Sequence, residues 1–258
     1  MHLYFQVRGE GPPLVALHGF LGSLDNWQAM SKRLAQGHTV YSVDLRNHGR
    51  SPHNRVMNYR VMAQDLRELI GEHGFNAAAI LGHSMGGKVA MQLATEHPDE
   101  IGNLIVVDIA PKAYPPVHRD MLHAMRAVDL LSCKSYEEVG DALAAAISDP
   151  AIRGFITKNL SRDGDGNLQW RLGLDEIILN YDELTKAIVI DKPFTRPTCF
   201  LRGGRSNFIE ESDAAMIREI FPRAVFKTVG NAGHWIHIDD ADEFHSIVTD
   251  FLAAHARS

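Results

Sequence analysis

The chain has 258 residues, 45% hydrophobic and 22% charged, which is the balance of a globular protein and not of a disordered or fibrous one. Its net charge is -6 and no basic block interrupts it, so nucleic acid is excluded as an expected partner. The N-terminal "MHLYFQVRGEG" lacks the basic and apolar regions of a signal peptide, no apolar run is long enough to cross a bilayer, and the two cysteines stand far apart. A cytoplasmic protein with reduced thiols and no membrane partner is expected.

In chain order, "PPLVALHG", "HTVYSVDL", "AAAILGHS" and "IGNLIVVDIAP" read as four strands, with "PTCFLRGG" and "AVFKTVG" following much later. Each run is nearly all apolar, as parallel strands buried on both faces are. Helical patterns separate them. Tyr59 to His73 repeats its apolar residues at helical spacing, Met85 to His97 opens after a glycine turn, and Ala241 to His255 carries an amphipathic stripe. Alternation of strand and helix predicts an α/β fold with a mostly parallel, doubly wound sheet. From about Pro111 to Pro193 the rhythm breaks. "MLHAMRAVDLL", "SYEEVGDALAAAI", "AIRGFITKNL" and "DEIILNYDELTKAI" are helix candidates with no strong buried strand among them. The expected organisation is a core of residues 1–110 and 194–258, with 111–193 inserted as a helical lid over the strand ends.

"LGHSMGGKVA" fits G-x-S-x-G through Gly82, Ser84 and Gly86. It follows an apolar run and precedes a helical one, which is the setting of a nucleophile elbow. The turn leaves a serine hydroxyl exposed at a helix N-terminus, where N–H groups favour negative charge. Upstream, "LHGFLGS" ends the first strand. Acyl transfer needs two N–H donors aimed at the developing oxyanion. Met85 and Phe20 are the candidates, and His18 is read as bracing the loop. Among 14 histidines, His234 in "GNAGHWIHIDD" lies between the last strand and the last helix, where a base belongs. His234 with His237 as a metal pair lacks a third ligand, so no metal is expected.

These motifs resemble the α/β-hydrolase superfamily over essentially the whole chain. "VDLRNHGRSPH", "MNYRVMAQDL", "GHSMGGKVAM" and "VVDIAP" are more narrowly similar to YbfF-type bacterial esterases and the mitochondrial abhydrolase-domain proteins. The resemblance implies hydrolysis of carboxylic esters or thioesters through an acyl-enzyme, with no cofactor. The expected enzyme is a serine carboxylesterase favouring small to medium acyl groups, with Ser84 as nucleophile and His234 as base. Acyl-CoA thioester hydrolysis and perhydrolysis use the same machinery. A ligand receptor with incidental turnover is the alternative from another class. The expected partner is a small-molecule ester or thioester, on a monomer or homodimer.

Many α/β-hydrolases carry the orienting acid in a G-x-x-D turn. Here that turn is Gly203-Gly204-Arg205-Ser206, with a serine in the acid's seat. Asp108 closes the preceding strand in "LIVVDIAP", and a carboxylate after four apolar residues is costly to bury unpaired. The resemblance marks this as an alternative acid position, so Asp108 is the expected third member. Asp44 in the brace loop "VDLRNHGRS" is the weaker candidate. Ser206 either bridges, donating to Asp108 beside His234, or is a plain solvated turn serine. Phe20, Met85, Trp235, Trp27 and Tyr114 are expected to line the substrate pocket, as large apolar residues near such motifs do. "RDGDGNLQW" has Asp163, Asp165 and Asn167 at alternate positions but lacks the glycine and glutamate of a calcium loop, and reads as a polar hairpin turn.

Overall fold

The structure, a computed structural model, describes residues 1–75 and 77–256. Nine strands occur among them: β1 (Phe5–Arg8), β2 (Pro13–Leu17), β3 (Thr39–Val43), β4 (Ala78–His83), β5 (Ile101–Val107), β6 (Leu160–Arg162), β7 (Leu168–Trp170), β8 (Thr198–Gly203) and β9 (Ala224–Val229). Seven form one sheet in the order β1-β3-β2-β4-β5-β8-β9. All its pairings are parallel except β1 against β3. The central strands are apolar throughout because both faces are covered: every residue of β4 is buried. On one face, helices Tyr59–Glu72 and Met85–Glu96 bury Leu66, Leu69 and Val89. On the other, helices Gln28–Leu34 and Ala241–Ala254 bury Leu34, Phe244 and Val248. No helix among the described residues is long and apolar enough to cross a membrane.

The register aligns the carboxyl ends of the middle strands. His83 lies opposite Val107, Val107 opposite Leu201, and Gly203 opposite Val229. The residues that follow these strands therefore emerge side by side, at the edge where open α/β sheets bind ligands.

Several elements depart from expectation. Strand β1 has no counterpart in the sequence reading. β9 is an edge strand with exposed residues, not one buried on both faces. Between Pro111 and Pro193 the chain forms five helices and the β6–β7 hairpin. Asp163 caps the hairpin turn by accepting from the N–H groups of Asp165 and Asn167 at 3.0 and 2.9 Å. The run "DEIILNYDELTKAI" is two helices, Leu174–Leu179 and Tyr181–Thr185, broken at Asn180. The Asn180 amide bonds outward to Arg55 O and Met57 N–H, contacts that a local pattern does not reveal.

Candidate active site

Ser84 stands between β4 and helix Met85–Glu96 with φ 51° and ψ −117°, a region that non-glycine residues rarely occupy. Two bonds hold it there. Its N–H donates to Val107 O at 2.9 Å, and its carbonyl accepts the N–H of Lys88 at 3.1 Å. The flanking glycines are required by crowding: a Cβ on Gly82 would stand 2.4 Å from Gly86 O, and one on Gly86 would stand 2.6 Å from His18 O.

One strand over, Asp108 also has a positive φ of 52° and is fully buried. Its N–H donates to Leu201 O at 2.8 Å, which ties it to β8. Its carboxylate is fully engaged. Oδ1 accepts the Gly203 N–H at 3.0 Å, and Oδ2 accepts from His234 Nδ1 at 2.7 Å and from the Ser206 hydroxyl. Such charge-assisted bonds are what make a buried carboxylate tolerable. The His234 loop reaches this point because β8 ends in glycine: a Cβ on Gly203 would stand 2.2 Å from Gly233 O. The His234 ring stacks on Phe208, centroids 3.9 Å apart and planes at 20°. No hydrogen bond between Ser84 and His234 is formed among the described residues, although both line the same cavity.

Ser84 opens onto two cavities. The larger, about 720 Å³, is lined by Phe20, Met85, Lys88, Tyr114, Tyr181 and others. The smaller, about 260 Å³, is lined by His234, Trp235, Phe155 and Met121 among others. Phe20, His118 and Phe208 border both. Four of the five aromatic and apolar residues expected around the substrate are thus at the site. Trp27 is not. It is 1% exposed and packs in the core on the Gln28–Leu34 face, stacked on His237 at 4.6 Å and tilted against Phe244. A substrate cannot reach it. Met85 opens its helix and has no carbonyl one turn back to receive its N–H. The Phe20 backbone lies within the turn closed by Gly22 N–H to Gly19 O at 3.0 Å. Asp44 lies apart from His234 and braces the neighbouring loops, accepting from Leu24 N–H and Arg50 N–H at 2.7 and 2.9 Å.

The family model described as "alpha/beta hydrolase fold" matches residues 12–146. The chain is 38% identical over 250 residues to the sn-1-specific diacylglycerol lipase ABHD11 of Mus musculus, covering 94% of this chain and 81% of that one. The chain belongs to the α/β-hydrolase family. To the esterase YbfF of Escherichia coli (strain K12) this α/β-hydrolase is 31% identical, over 96% and 95% of the two chains. A solved marine microorganism esterase superposes with a TM-score of 0.94 at 39% identity, covering 97% of this chain and 99% of that one.

The remaining histidines around the site of this α/β-hydrolase are held neutral. Burial pushes His18 down to about 4 and His237 down to about 3, and it drives His83 well below the usual imidazole range. His18 bridges two segments, with Nδ1 to Gly19 O at 2.8 Å and Nε2 accepting from Leu45 N–H at 3.0 Å. His83 Nε2 donates to the carbonyl of His234 at 2.8 Å and so steadies that loop. Several residues of the site escape sequence reasoning, Phe208 and Lys88 among them. Phe208 follows Ser206 by two positions, but nothing local marks it as the plate under an imidazole. Lys88 stood in the quoted motif itself. A lysine in the run "KVAMQLA", whose only other polar residue is Gln92, is the signal.

Proposed function

We propose that this carboxylic ester hydrolase works by acyl transfer through Ser84, with His234 as base and then acid and Asp108 as the group that orients it. The observation that carries the reading is the buried Asp108 carboxylate bonded to His234 Nδ1 at 2.7 Å, beside a serine held at φ 51° on the same cavity. With its Nδ1–H donated to Asp108, the imidazole offers Nε2 as the acceptor for the serine proton. Ser84 Oγ then attacks the ester carbonyl, and the oxyanion forms against the N–H groups of Phe20 and Met85. His234 returns the proton to the departing alkoxide. Water, deprotonated by the same imidazole, frees the acid from the acyl-enzyme. The Ser84–His234 contact closes when substrate binds, since such bonds are commonly loose in substrate-free enzymes.

Residues 111–193 act as a cap on a core of 1–110 and 194–258. Tyr114, His118, Met121, Phe155 and Tyr181 support this, because they bring that segment to the two cavities beside Ser84. The larger cavity takes the acyl chain and the smaller the alcohol. A small to medium acyl group matches a volume of about 720 Å³ shared with several polar side chains.

The test is multiple turnover on p-nitrophenyl butyrate. Ser84→Ala should lower kcat by at least about a thousandfold, since a triad nucleophile acts as part of a unit. A single stoichiometric burst in the wild type would favour the receptor reading, and a rate untouched by Ser84→Ala would remove the serine from the chemistry.

A further inference from the structure

The larger cavity contains a buried cation that the acyl-transfer steps do not use. Lys88 lies one helical turn past Ser84, on the same helix. The residue is 1% exposed, yet it lines the cavity of about 720 Å³. An ammonium has three donors. Here one is used, on Lys186 O at 2.6 Å. Nζ also stands 5.2 Å from the Tyr59 ring centroid and 4.9 Å from that of Tyr114. Neither phenol accepts from it. Tyr59 donates to Leu184 O, and the Tyr114 hydroxyl donates to Phe208 O and accepts from Ala110 N–H.

Lys88 forms no ion pair among the described residues. Glu210, which lines the same cavity, faces Lys112 at 3.8 Å, and Lys112 is bound more closely to Asp213 at 2.8 Å. Packing alone would be served by a leucine or methionine at this helix position. Burial instead holds the amine down at about 7, where a neighbouring anion would restore the full charge. The aromatic faces favour a cation without neutralising it.

We propose that Lys88 anchors a carboxylate at the far end of the acyl chain, so that the larger cavity takes half-esters of short dicarboxylic acids. This rests on Ser84 as nucleophile and on the larger cavity as the acyl pocket. Four residues of helix separate the two backbones by about 6 Å along the axis. A chain of a few methylenes between the scissile carbonyl and the carboxylate fits that offset. The acyl-enzyme would be a half-acid whose carboxylate replaces missing partners of the ammonium. A neutral chain of the same length fills the space and leaves the ammonium unpaired.

The experiment compares kcat/KM, from released ethanol, for monoethyl succinate, glutarate and adipate against ethyl butanoate, pentanoate and hexanoate. Wild type, Lys88→Met and Ser84→Ala are measured. At one chain length or more, the half-ester to neutral-ester ratio should fall at least tenfold in Lys88→Met. A smaller fall at every length overturns the proposal. Hydrolysis of neither series by the wild type would instead sink the acyl-transfer reading, and the anchor with it. Should Lys88→Met not fold, the wild type decides alone. Adipate monoamide should inhibit ethyl hexanoate hydrolysis competitively with a Ki at least tenfold below that of hexanamide, which differs only in lacking the carboxylate. Equal inhibition by the two would mean that the charge is not read, and the proposal fails.

Discussion

Strands β5 and β8 are neighbours, and their ends differ in every chemical respect. β5 is followed directly by Asp108, a fully buried carboxylate on a left-handed backbone. β8 ends in a glycine turn that carries a half-buried hydroxyl, Ser206. Yet both strand ends converge on one atom, since Ser206 donates to the same Asp108 oxygen that accepts the hydrogen bond from His234 Nδ1. The register explains how, because Val107 lies opposite Leu201 and Asp108 N–H donates across to Leu201 O. An oxygen offered from either strand end reaches the same point. The comparison teaches that, on the proposed assignment, the sheet edge brings the orienting acid of β5 and a hydroxyl of β8 to one point. Here the charge comes from one strand and the hand that holds it from the other.

The sharpest way to break that division is at the charge. Asp108→Asn keeps the shape and removes the anion, and its amide cannot fix the imidazole in the required tautomer. We expect kcat on p-nitrophenyl butyrate to fall by about 10⁴, the scale of the same change in a serine protease. A fall below tenfold would place the acid elsewhere. Moving the acid to the other strand sharpens the comparison. Asp108→Ser loses the anion, and adding Ser206→Asp restores one at the β8 seat. If the sheet edge sets the position, the double variant should be at least tenfold more active than Asp108→Ser alone. Equal rates would tie the acid to β5.

The same two strands show what sequence can carry. Ser84 was legible because the elbow is local: a strand, two glycines and a helix within ten residues dictate it. The central strands were legible because burial on both faces writes a continuous apolar run. Edge strands are not written that way. β1 is four residues long, none of them fully buried, and β9 exposes three of its six residues. Trp27 shows a different gap. It lies close in sequence to Phe20, but the turn Leu24–Trp27 carries the indole away from the strand ends and into the core. Sequence proximity gives distance along the chain and not the side of the sheet. Phe208 and Lys88 matter through cavities that exist only once distant segments close over Ser84. The meeting of Asp108 and Ser206 depends on parallel register, which no local pattern encodes.

The smallest expected effect discriminates best. Ser206 Oγ donates to Asp108 and also accepts the N–H of Phe208 at 3.3 Å. Removing it therefore loosens both the carboxylate and the ring on which His234 stacks. A hydrogen bond to a charged group is worth about 1.5–3 kcal/mol, which caps the fall in kcat for Ser206→Ala at roughly ten- to a hundredfold. Size alone does not separate a positioning role from a general loosening, but the split between kcat and KM does. Without the hydroxyl, the Asp108 carboxylate loses one of its side-chain donors, so the loss should fall on kcat with KM unchanged, and Ser206→Thr, which keeps the hydroxyl, should restore most of the rate. A turn serine that merely meets solvent would leave the rate where it was, and the β8 end would have no part in the chemistry.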